Sequence, residues 1–108
     1  MEEKRKFTRY NTNYTALYCQ YNKIRAVKIH DLSRAGAALE FKDDINAKVG
    51  MKAILHFFSR DTNSLVARLE CKVIRIFNID VHTAIGVKFE ASNKAIDSII
   101  EFFEKHNI

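Results

Sequence analysis

The longest regular feature of the chain is Leu65–Ile79 (LVARLECKVIRIFNI), where apolar and polar residues alternate. Leu65, Ala67, Leu69, Cys71, Val73 and Arg75 share one parity. A period of two marks a β-strand with one buried face. A strand this long must bend, and long bent strands belong to barrels. Shorter runs read the same way: Tyr14–Tyr21, Ile24–His30, Ala37–Phe41, Lys52–Phe58 and Val81–Glu90. In Ile24–His30 both faces are mixed, as in a small barrel where one face meets a ligand. Asn22-Lys23 is the expected two-residue hairpin turn, and 42–50, 59–64 and 78–80 read as loops or turns.

After Ala91-Ser92-Asn93 the period changes. Ile96, Ile99, Ile100 and Phe103 recur at helical spacing as far as Lys105, with Ser92 or Asn93 as N-cap. Lys105 near the end suits the helix dipole. Phe102 falls off the main stripe, which fits a dimer or partner contact and a broad apolar face equally well. The pattern predicts a mainly β fold: a six-stranded antiparallel β-barrel over residues 14–108 with a C-terminal α-helix. Residues 1–13 are polar and basic and read as a flexible N-terminal arm.

Composition fits one domain with one core. The 108 residues are 47% hydrophobic, with eight Phe and four Tyr as bulky core material. There is no Pro and only three Gly, so each Gly marks a specific backbone need. No apolar run approaches the roughly 18–20 residues of a membrane span. Cys19 and Cys71 lie in apolar strand-like runs without CxxC spacing and are expected as buried free thiols, with a disulfide as the alternative the sequence leaves open. The charged start, Met1–Arg9, is no signal peptide, so a cytoplasmic location is expected.

Net charge is +5, which favours anionic partners. The excess is local: Lys4-Arg5-Lys6-Phe7-Thr8-Arg9 holds four cations in six positions. A second polar stretch, Asp31-Leu32-Ser33-Arg34-Ala35-Gly36, lies between two strand-like runs. Asp31 offers carboxylate oxygens to ring N–H and amino donors, and Ser33 a hydroxyl that donates or accepts. Gly36 permits a sharp turn or a close approach. Arg5 and Arg9 could clamp phosphates while the acidic stretch holds a purine base. Standing alone, the DxSxxG stretch is equally a plain turn bonded to its own backbone.

Together these residues resemble the PilZ domain family. Arg5-x-x-x-Arg9 resembles its first motif and Asp31-x-Ser33-x-x-Gly36 its second, and Ile85-Gly86-Val87-x-Phe89 is similar to its late glycine strand. The resemblance covers nearly the whole chain. It implies a receptor for cyclic di-GMP, with no cofactor and no enzymatic activity. Arg5 and Arg9, on a segment that wraps the ligand, would contact phosphates and guanine faces or Hoogsteen edges. Asp31 and Ser33 would hold a guanine, and Gly36 would let the backbone approach it. Arg75, near a position where the family often places an aromatic or arginine, is a further ligand candidate; otherwise it is a strand-end cation. Lys4 stands where a basic residue goes with a stacked ligand pair, but Arg is usual there, so stoichiometry stays open. Ordering of the arm would signal to a downstream protein partner, from a monomer or weak homodimer.

Two alternatives compete. A PilZ-fold adaptor without nucleotide binding would lack Arg5, Arg9, Asp31, Ser33 and Gly36. A basic nucleic-acid barrel would place aromatics between its cations, and this chain clusters none there, so no nucleic-acid partner is expected. His30, His56, His82 and His106 are dispersed without metal-ligand spacing, and Asp43-Asp44 reads as a solvated loop. His30 abuts Asp31 and reads as a strand-end histidine. No GxSxG and no phosphate-cradling glycine loop is present, and no metal site or catalytic set is expected.

Overall fold

Seven strands and one helix follow in order in the computed structural model, which describes residues 10–11, 14–43, 45–58, 64–90 and 93–105. They are β1 (Tyr10–Asn11), β2 (Thr15–Gln20), β3 (Lys23–Leu32), β4 (Gly36–Phe41), β5 (Lys52–Phe58), β6 (Leu65–Ile79), β7 (His82–Phe89) and α1 (Asn93–Lys105). All pairings are antiparallel. The order β3-β2-β5-β6-β7-β4 returns to β3 through a β3–β4 pairing, so six strands close a barrel. β3 closes it because its first half pairs with β2 and its second half with β4.

β1 pairs Tyr10 with Leu32 and Asn11 with Asp31. It therefore continues along the β3 edge that β2 occupies. These two residues fall in the segment assigned above to the arm.

Bulges bend the long strands, as closure requires. One interrupts β3 between Ile29 and Asp31, another β6 between Val73 and Arg75. The inward parity of β6 (Ala67, Leu69, Cys71, Val73) is buried as expected. The second bulge then turns Arg75 outward, which corrects the parity reading that grouped it with the core.

The first hairpin turn is Tyr21-Asn22, one residue earlier than the expected Asn22-Lys23, because Gln20 pairs with Lys23. Tyr21 takes a positive φ of 55° there, as Asp80 does (53°) in the β6–β7 turn. Two-residue hairpins need such angles to match the strand twist.

Inside the barrel, Tyr18 meets Phe41 edge-on with centroids 5.2 Å apart, and Tyr14 lies 5.4 Å from Phe57. The Tyr18 hydroxyl donates to Gln20 Oε1 (2.9 Å), and Gln20 Nε2 donates to the Asn46 carbonyl (3.0 Å). This relay satisfies two buried polar side chains. α1 packs on β6 and buries Ile99 and Ile100 in the same core. The positions of Ser92 and the side chains of Asn93, Ile96, Phe102 and Phe103 lie outside the described residues.

Cys71 is a buried free thiol whose pKa is pushed up to about 12, by burial first and the Glu90 carboxylate second. Cys19 departs from expectation: it is half-buried on the outer face, its Sγ 3.4 Å from His56 Nδ1.

Candidate functional site

A hollow of about 430 Å³ opens on the outer face of β4, β7 and β6. It is lined by Ala35 to Ala38, Ile74, Arg75 and Gly86 to Lys88. Strand register explains it. Asp31 pairs with Ala38, Ala38 with Gly86, and Gly86 with Arg75. Directly paired residues share one face, and the neighbours Leu32, Ala37, Leu39, Ile85 and Val87 are buried inside. The row therefore faces outward, with Asp31 at one end, Arg75 at the other and two of the smallest side chains between. Three strand spacings separate the ends, roughly 14 Å along the sheet.

The two glycines that line the hollow serve different ends. A Cβ on Gly36 would lie 2.1 Å from the Val87 carbonyl oxygen, so β4 approaches β7 too closely for any side chain. A Cβ on Gly86 would lie 3.0 Å from Arg75 Cγ and 3.1 Å from its Nε. Gly86 thus leaves the room over which Arg75 lies. The Arg75 guanidinium carbon rests 4.5 Å from the centroid of Phe77, a cation–π contact.

The turn between β3 and β4 is held by Ser33. Its N–H donates to the Gly36 carbonyl (2.8 Å), and its Oγ accepts from Ala35 N–H (3.2 Å) and Gly36 N–H (3.4 Å). Ser33 is 1% exposed. Its hydroxyl accordingly shapes the turn from inside, the self-bonded arrangement that the short motif also allows. Phe89 N–H donates to the Ala35 carbonyl (2.9 Å), tying the turn to β7. Arg34 pairs with Asp97 of α1, tying it to the helix.

One row along the outer face, Glu40 sits between two imidazoles. His82 Nδ1 is 2.6 Å from Oε2 and His30 Nδ1 is 3.9 Å from Oε1. The His82 hydrogen bond is the main reason the Glu40 carboxyl titrates below its usual range, with the charges of Lys28, His82 and His30 adding to it. His30 is therefore a member of a small surface network beside the row.

Of the residues singled out in the sequence, the fold brings Asp31, Gly36 and Arg75 to one outer face and puts Ser33 beneath it. Lys4, Arg5 and Arg9 lie outside the described residues. Sequence reasoning missed Lys88, an exposed cation on the rim of the hollow. Its signal was available: it stands two residues after Gly86, on the same parity. Among the described residues, no group of three or more His, Cys, Asp or Glu is placed to hold a metal ion. No helix among them is long and apolar enough to cross a membrane.

The PilZ domain family model matches residues 3–105. The chain belongs to the PilZ domain family. No curated protein sequence matches it. Among solved structures, the inhibitor of motility MotI/DgrA from Bacillus subtilis superposes with a TM-score of 0.79 at 14% identity, covering 98% of this chain and 52% of that one. This chain thus spans about half the length of that relative. The PilZ domain of YcgR from Escherichia coli, solved with c-di-GMP, gives 0.77 at 15% identity, covering 97% of this chain and 95% of that one. MrkH of K. pneumonia, solved as a c-di-GMP complex, gives 0.75 at 14% identity, covering 98% and 55%. At such identities the likeness establishes the PilZ barrel shared by all three.

Proposed function

We propose that this PilZ domain is a receptor for cyclic di-GMP that acts by binding rather than by catalysis. The observation that carries the reading is the outward row Asp31–Ala38–Gly86–Arg75. It offers a floor of one methyl and one bare backbone, an acceptor at one end and a planar cation at the other. Guanine presents N1–H and N2–H donors on one edge, which a carboxylate accepts; its O6/N7 edge accepts from guanidinium. Asp31 takes the first role and Arg75 stacks on or flanks the base.

Arg9 precedes Tyr10 by one Cα step of about 3.8 Å, and Tyr10 pairs with Leu32. That linkage supports a phosphate-binding role for Arg5 and Arg9. Guanidinium is suited to it because its fork of donors matches phosphate oxygens. Gly36 and Ser33 contribute by setting the turn that carries Asp31. Residues 1–13 act as the arm, joined to the barrel through β1, and 14–108 as the barrel domain, and ordering of the arm over the ligand alters a surface read by a downstream partner in the cytosol.

Calorimetric titration with cyclic di-GMP, with GTP as control, tests the reading. The wild type is expected to bind the dinucleotide and not GTP. Arg9→Ala and Asp31→Ala should each weaken binding about tenfold or more, since one bidentate contact gives roughly 1–3 kcal/mol of discrimination. Unchanged affinity in both variants removes the site assignment. No binding by the wild type removes the receptor role.

A further inference from the structure

Across β5, β6 and β7 the register sets three lysines side by side: Lys52 opposite Lys72, and Lys72 opposite Lys88. Direct partners share a face, and here it is the outer one, since Ala53, Cys71, Val73, Val87 and Phe89 point inward. Like charges directly opposed across a sheet are destabilising. The row is only partly compensated. Lys72 Nζ lies 3.8 Å from Glu90 Oε2, and Glu70 and Glu90 line a separate hollow with Lys52. At the other end the ladder meets Gly36, the register partner of Lys88. Lys88 and Arg75 both rim the 430 Å³ hollow, whose lining among the described residues includes no acidic side chain.

We infer that Lys88, seconded by Lys72, is a phosphate-binding subsite at the rim of the hollow, and that it holds a phosphodiester of the ligand whose base lies on the Ala38–Gly86 floor. This rests on the proposed receptor function. Its ground is independent of the two motifs, being a self-repelling cation row ending where an anionic ligand would lie. A bound phosphate offsets that repulsion. Lys suits the task as a point charge with three donors on a long stem, able to follow a phosphate without a fixed geometry. Lys52 lies two strands away among carboxylates and takes no part.

The test is calorimetric titration of cyclic di-GMP into the wild type, Lys88→Gln, Lys72→Gln and Lys52→Gln at several salt concentrations. Lys88→Gln is expected to weaken binding about tenfold, as for loss of a charged hydrogen bond, and to flatten the salt dependence. Lys72→Gln should weaken it less, and Lys52→Gln should stay within twofold. Ligand-free Lys88→Gln should melt at the wild-type temperature or higher at low salt, because a repulsion has gone. A wild type that binds, with Lys88→Gln also within twofold of it, overturns the inference and leaves the receptor role standing. Equal losses in Lys88→Gln and Lys52→Gln also overturn it, since they reduce the effect to net charge. A wild type that does not bind overturns both.

Discussion

Two outer faces of this barrel are built to opposite ends. On β2 and β5 the outward positions carry Leu17, Cys19, Ile54, His56 and Phe58, all half-buried against one another. Leu17 lies opposite His56 and Cys19 opposite Ile54, so large side chains fill the surface row by row. On β4 and β7 the central outward positions carry Gly36, Ala38, Ala84 and Gly86, flanked by Glu40, His82 and Lys88, and the surface sinks into a hollow at Gly36, Ala38 and Gly86. Both faces hang on the same closed hydrogen-bond network and the same interior. What differs at the centre of each face is the size of every second side chain. Surface relief, and hence the place for a ligand, is set by outward residues that contribute little to the core.

The comparison is most sharply tested at the two glycines. Gly36→Ala puts a methyl 2.1 Å from a backbone carbonyl that cannot move without β7. It should cost about 3 kcal/mol in urea unfolding, the upper end for overpacking. Gly86→Ala meets only the Arg75 side chain, at 3.0 and 3.1 Å, and that chain can swing. Its cost should stay below about 1 kcal/mol, while the guanidinium leaves Phe77 and the hollow shrinks. Equal losses at the two positions would break the claim that one glycine serves the barrel and the other the hollow.

The cysteines probe the filled face against the interior. One thiol per chain, Cys19, should react with a small disulfide reagent in the native protein. Cys71, buried and with its pKa pushed up to about 12, should react only on unfolding. Two fast thiols would mean that the β5–β6 wall opens readily.

The smallest expected effect concerns the row beside the hollow. The Glu40 carboxyl titrates lower in the folded chain than its ordinary 4.5, chiefly because His82 bonds it. A depressed carboxyl stabilises the fold above its unfolded value, and that share is lost as pH falls through the folded value. The wild-type melting temperature should therefore drop below about pH 4.5 more steeply than that of Glu40→Gln. Parallel curves would separate Glu40 from the stability of this face.

Much of the fold was legible in the sequence because alternation reports directly on a closed antiparallel sheet. Lys52–Phe58 and Leu65–Ile79 were bounded as observed, and the helix ends at Lys105 as expected. The first turn was misplaced by one residue because Asn22-Lys23 has better turn chemistry than Tyr21-Asn22. Pairing of Gln20 with Lys23 overrode that preference.

Less of the site was legible. Asp31, Ser33 and Gly36 stood out as a motif, yet their individual tasks did not follow from residue type. Ser33 turned out to bond its own turn, and Gly36 to accommodate β7. Arg75 shares parity with buried residues, and only the bulge after Val73 sends it outward.

By itself the sequence determined the six barrel strands, most of the faces they bury, the terminal helix and the family, since all of these depend on local period and short motifs; β1, set only by its pairing with β3, was not among them. Tertiary structure decided which residues stand opposite each other. Register and bulges arise from pairing between strands far apart in the chain, so Asp31 and Arg75 could share a row, and three lysines a ladder, only after the barrel closed.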